Sequence, residues 1–216
     1  MAITELLFPA LKNDKASIKA IEQIAPIFRK KLTHPNPGFL NAFRGFVVND
    51  NGNDVTKDSR EIVIFEWDKM DSFHNFLKSE QLKDAVASIK HLMSGPATLQ
   101  LFDTNASPRD AASSPIVEII RTSLSNSQNI DVSLKTWEKL SGHLSGNARR
   151  QASVAYGKSS NLENDVVAGI IGWQGSKEYS EGSQEKGFLD ALDALKSVGE
   201  VSRITVELDV LQLAPL

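Results

Sequence analysis

Two tryptophans, Trp67 and Trp173, stand 106 residues apart, and each closes a strand-like apolar run followed by an amphipathic helical stretch. At the same offset Phe73 falls on Tyr179, Leu82 on Phe188, Ala85 on Ala191 and Ile89 on Leu195. In the opening strands of the two halves, Glu5 falls on Glu118. An internal repeat of this kind restricts the fold before any single element is considered, because each copy must be one supersecondary unit.

The order of elements within a copy follows from hydrophobic period. Residues 2–8 read as a strand. Ile18, Ile21, Ile24, Ala25, Phe28 and Leu32 then recur every three or four residues, the stripe of a helix. Pro26 inside that stripe removes a backbone donor and predicts a kink or break. Residues 39–48 and 61–67 form a hairpin around a polar tip. A helix carrying Phe73, Phe76, Leu77, Leu82, Val86, Ile89 and Met93 follows, and residues 97–102 close the copy. The second half repeats the order at 116–122, 132–144, 152–158, 166–174, 177–198 and 203–213. This is β-α-β-β-α-β, the split βαβ or ferredoxin-like unit.

A four-stranded sheet with both helices on one face leaves its other face bare. In residues 61–67, Ile62 and Ile64 point one way and Val63 and Phe65 the other, so both faces call for cover. Laying the two sheets against each other supplies it. The expected fold is therefore α+β, two fused ferredoxin-like units forming a pseudo-dimeric α/β barrel. The domains are residues 1–104 and 115–216, joined by a linker at 105–114 within a segment rich in proline, serine and alanine.

Bulk properties exclude whole classes of function. The net charge of −3, with signs interspersed, offers no footprint for nucleic acid and no basic face for a membrane. The absence of cysteine rules out disulfides and thiolate chemistry. No basic flank precedes the N-terminal apolar run and no segment reaches bilayer length, so an intracellular, cytoplasmic protein is expected.

The stretch from Val63 to Ala85 resembles the antibiotic-biosynthesis-monooxygenase family of the dimeric α/β barrels. It does so through Trp67, Phe73, Phe76-Leu77-Lys78-Ser79, Leu82-Lys83 and Ala85, and Pro37-Gly38-Phe39 with Phe43 resembles the family's strand start. The second half keeps Trp173 but lacks Pro-Gly-Phe. The resemblance implies small enzymes that often work without metal or flavin on phenolic or polyketide-like molecules, as oxygenases, cyclases or isomerases. Its haem-degrading branch ligates iron from the second helix, where this chain has Val86 and, in the second half, Leu192; neither can ligate iron. No cofactor and no metal are expected. The expected partners are a small aromatic or polyketide-like molecule and the chain's own second half, with further homodimerisation left open.

Candidate site residues come from the residue types themselves. Glu5 and Glu118 each interrupt an apolar first strand expected at the centre of its sheet, where an unpaired carboxylate costs several kcal/mol. Each is either half of a buried salt bridge, with Arg44, Arg121 or Arg203 available, or a general base of raised pKa. His34, beside the Pro-Gly-Phe turn, is an acid–base candidate or an interaction with a helix end; the same pair of readings applies to His143. His74 lies off its helix's apolar stripe and is expected in solvent. Glu5, His34 and Arg44 are the catalytic candidates. Trp67, Phe43, Phe73 and Trp173 are the substrate-binding candidates, although large aromatics more often simply fill cores. Gly169 and Gly172 beside Trp173 mark either a ligand's approach or a bulge. A non-catalytic ligand-binding or stress-associated protein on the same fold is the alternative function.

Overall fold

The computed structural model describes residues 2–32, 36–146, 152–162 and 165–212. The first unit runs β1 (Ala2–Phe8), α1 (Lys15–Leu32), β2 (Phe39–Asp50), a two-residue β3 (Asn53–Asp54), β4 (Glu61–Trp67), α2 (Met70–Lys78), α3 (Glu80–Ile89) and β5 (Thr98–Thr104). After a short α4 (Arg109–Ala112), the second runs β6 (Ile116–Leu124), α5 (Ile130–Ser145), β7 (Ser153–Ser159), β8 (Val166–Trp173), α6 (Ser176–Gly182), α7 (Lys186–Val198) and β9 (Gly199–Val210).

Each unit makes an antiparallel sheet with its first strand central, β2-β4-β1-β5 and β7-β8-β6-β9. The sheets join at both edges, β5 to β7 through Phe102, Asp103 and Thr104, and β2 to β9 from Phe43 to Asp50. Apart from the β3 tip, the result is a closed eight-stranded antiparallel barrel of two fused ferredoxin-like units. Closure removes the exposed edges that an isolated sheet must protect.

The barrel interior is built by both copies. Leu6, Phe43, Ile62, Ile64 and Phe102 meet Val117, Ile119, Ile170 and Val206. The opposite faces carry the helices over two separate cores, one per unit. Thus β4 is buried on both sides, as its unbroken apolar run requires.

The structure refines three local expectations. Of the kink or break expected at Pro26, the break does not occur: the helix runs unbroken through the exposed proline. The helix expected from Phe73 to Met93 is two helices, because Ser79 is extended and its hydroxyl accepts from the Leu82 N–H, restarting the turn as an N-cap; residues 177–198 divide likewise into α6 and α7. Segment 103–115 is not bare tether: α4 buries Ala111 and Ala112 against the barrel core. Four residues are too few to display a helical period, so this plug left no trace in the hydrophobic pattern. Among the described residues, no helix is long and apolar enough to cross a membrane.

Candidate active site

In the first unit α1 and α3 cross the outer face of the sheet without closing onto it, leaving a cavity of about 210 Å³. Ile21, Ile24, Ala25 and Phe28 of α1 face it from above and Leu7, Val63, Phe65 and Leu99 from the sheet, with Val86 and Ile89 at the side. The i, i+3, i+4, i+7 stripe of α1 therefore borders empty space. None of its described side chains is fully buried, whereas α5 buries Ser133, Trp137, Leu140 and Leu144.

Three charged side chains reach this apolar space: Glu5, Arg44 and Glu61. Arg44 grips Glu61 with two bonds, Nε to Oε1 at 2.7 Å and Nη2 to Oε2 at 2.6 Å. The pair also borders a wider cleft of about 780 Å³ beneath α1, so it stands where cavity and cleft meet. Glu5 lies inside, 3% exposed, and accepts a hydrogen bond from Trp67 Nε1 at 2.9 Å. No cation pairs with it among the described residues. Burial pushes its carboxyl up to about 7, and the Trp67 N–H opposes this only in part.

The second unit shows the same glutamate put to a different use. Glu118 is equally buried on the central strand, and burial again raises its proton affinity. Here, however, Arg203 on β9 donates to Oε1 through Nε at 2.9 Å, which opposes the rise. In the ladders Ile120 faces Arg203 as Leu7 faces Leu99, so the first unit holds a leucine where the second holds the neutralising arginine. Trp173 Nε1 lies near enough to favour the Glu118 carboxylate, yet neither it nor Glu118 Oε2 completes a bond of normal geometry. Arg203→Leu is expected to leave Glu118 as unpaired as Glu5. Since Arg203 is about a third exposed, the loss should be about 2 kcal/mol at pH 8. It should fade as the pH falls and Glu118 takes up a proton, which urea unfolding across that range would show.

The second unit also lacks the space. Trp137 of α5 lies over Gly169 of β8 so closely that a β-carbon there would sit 2.2 Å from the indole. The offset of 113 residues that places Glu5 on Glu118 places Ile24 on Trp137, and the offset of 106 places Val63 on Gly169. Ile24 and Val63 face each other across the first unit's cavity; Trp137 over Gly169 fills the same place in the second.

No family model and no curated protein matches this sequence. Solved structures do match. A candidate monooxygenase from Fusobacterium nucleatum superposes with a TM-score of 0.69 at 13% identity, over 100% of this chain and 96% of that one. An anthrone oxidase-like protein gives 0.65 at 14%, over 96% and 91%. A candidate monooxygenase from Lactobacillus acidophilus gives 0.64 at 8%, over 100% and 98%. Each likeness spans both units. The chain shares their fold.

Of the residues singled out from sequence, Glu5 and Arg44 line one cavity, but Arg44 pairs with Glu61 and not with Glu5. Trp67 is sealed and touches the cavity only through its bond to Glu5; Phe73 packs behind it, with ring centroids 6.0 Å apart. Phe43 lies on the opposite face of the sheet, inside the barrel, so the substrate role expected of it is withdrawn. Trp173 is withdrawn as well: Gly182, Tyr179 and Phe188 enclose its ring. Its neighbouring glycines admit Trp137 at Gly169, and Ser114 and Ala111 at Gly172, rather than a ligand. His34 falls outside the described residues. His74 is exposed, and His143 meets Glu185 at 3.1 Å on the surface. Glu61 was missed because a charged residue opening a strand looks like any exposed strand end.

Proposed function

We propose that the chain is an enzyme of the antibiotic-biosynthesis-monooxygenase type, with residues 1–104 as its catalytic domain, residues 105–114 as linker and residues 115–216 as its diverged structural partner. The substrate is a small aromatic or polyketide-like molecule bound between α1, α3 and the sheet, and no bound cofactor takes part. The observation that carries this reading is Glu5, a carboxyl without a cation partner and with a pKa of about 7, in a cavity whose only other charges among the described residues, Arg44 and Glu61, are engaged with each other. Near neutrality a large fraction of it is ionised, which suits a general base. The whole-chain likeness to an anthrone oxidase-like protein supports the substrate class.

The chemistry needs few protein groups. Glu5 takes a proton from an acidified ring C–H of the substrate, and Trp67 holds the carboxylate in place. The resulting carbanion is electron-rich enough to reduce dioxygen itself. For an anthrone, one oxygen atom enters the ring as a carbonyl and the other leaves as water, so no external reductant is required. The inner cavity is below the roughly 300–1,000 Å³ usual for ligand sites. A molecule of two or three rings would therefore extend past Arg44 and Glu61 into the cleft, where the guanidinium can meet a phenolate or carbonyl oxygen.

Dithranol, a hydroxylated anthrone that oxidises slowly in air by itself, serves as the probe, with the protein-free rate at each pH subtracted. The expected result is consumption of one O2 per anthraquinone formed, with a rate that rises with pH and levels off above about 7. The competing reading is a ligand binder without turnover, favoured by Arg44 and Glu61 being engaged with each other. Saturable dithranol binding with no protein-dependent oxygen uptake would select it.

A further inference from the structure

At one end of the barrel the inner face of the sheet holds a second cavity, of about 270 Å³, lined by Phe8, Pro9, Arg60, Thr98, Gln100 and Arg121, with Glu61 at its border. Arg121 shares its strand face with the barrel-core residue Ile119, and its ladder partners Ala168 and Ser202 carry no charge. Its Nε is buried without a partner, and no acid meets it among the described residues. Gln100, 6% exposed, has a buried and equally unpartnered Oε1; turning its amide over presents two N–H donors instead. The other charges here are accounted for, Arg60 by Asp50 and Glu61 by Arg44. One uncompensated positive charge remains, on a planar fork of donors.

Two buried atoms, Nε of the half-buried Arg121 and Oε1 of the buried Gln100, are left unsatisfied and call for a ligand, since each unmade bond costs the desolvation of its group. We propose that this end of the barrel binds a small organic carboxylate, held bidentate by the Arg121 guanidinium, flanked by Gln100 and Thr98, with its apolar body against Phe8 and Pro9. The single free charge matches a monoanion, and the guanidinium fork matches the spacing of carboxylate oxygens. Burial also lowers the proton affinity of Arg121, as expected for a cation awaiting its counter-charge. The site lies on the opposite face of the sheet from Glu5 and does not depend on the activity proposed above.

Benzoate is the probe, titrated at pH 8 into the full chain with chloride held constant. Saturable binding that shifts the Arg121 Nε–H signal in nitrogen-edited NMR is expected. In Arg121→Gln the affinity should fall at least tenfold, while the ligand-free melting point should hold or rise because no native ion pair is lost. Glu5→Gln should bind benzoate like the wild type. The proposal is overturned if benzoate leaves the Arg121 signal unmoved in the wild type, if Arg121→Gln binds undiminished, or if that variant is destabilised without ligand. Inorganic phosphate moving the signal where benzoate does not would overturn the carboxylate assignment.

Discussion

Glu5→Gln is expected to make the protein more stable at pH 8 and to remove the dithranol oxidation proposed for it. In the unfolded chain this carboxyl ionises near 4.5, and in the folded protein near 7. The folded state therefore holds its proton more tightly. Stability is intact below pH 4.5, declines as pH rises between the two values, and is lower by about 3 kcal/mol once both states are ionised. Glutamine removes the charge but keeps an oxygen for the Trp67 N–H. Urea unfolding should thus find the variant equal to wild type near pH 4.5 and more stable by about 2–3 kcal/mol at pH 8. If Glu5 is the base, dithranol oxidation should fall by about 10²–10⁴ in the same variant while binding persists. A variant less stable than wild type at pH 8 would mean that the carboxylate is satisfied as an ion, and the base assignment would go with it.

The second large effect is expected in the other unit. Trp137 is wholly buried over Gly169, and Trp137→Ala should cost about 3–5 kcal/mol through lost transfer energy and the void left behind. Ile24→Ala, at the matching place on α1, should cost far less, because Ile24 is only partly buried and already borders a cavity. Gly169→Val alone drives a side chain into the indole and should be strongly destabilising. Combined with Trp137→Ile, which rebuilds the first unit's pair, it should recover more than 1 kcal/mol of that loss. Additive costs would show that the two positions do not compete for one space. Ile24→Trp with Val63→Gly makes the reverse transplant and should abolish dithranol binding while leaving the fold intact.

Much of the architecture could be read in advance. The 106-residue repeat and the switch between periods of two and 3.6 are local properties of the chain, and they led to eight strands in two like units. Errors arose where a local signal was brief or ambiguous. The α4 plug has too few residues for a period. The serine that restarts α3 looks like an ordinary surface residue until its hydroxyl is seen on Leu82 N–H. Phe43 and Arg44 are adjacent and must point to opposite faces, but both faces of the sheet are buried by something, so alternation could not say which one carried the pocket.

Glu5 stood out from the chain alone because a carboxylate amid an apolar strand is costly wherever that strand lies inside, and the same reasoning marked Glu118. Their divergence did not stand out. It depends on Leu99 against Arg203 across a strand ladder, and on Ile24 over Val63 against Trp137 over Gly169 between a helix and a sheet. Period and composition are written along the backbone and survive without coordinates. Whether a buried acid meets a cation, an indole or empty space is set by side chains far apart in order and adjacent only once the barrel closes.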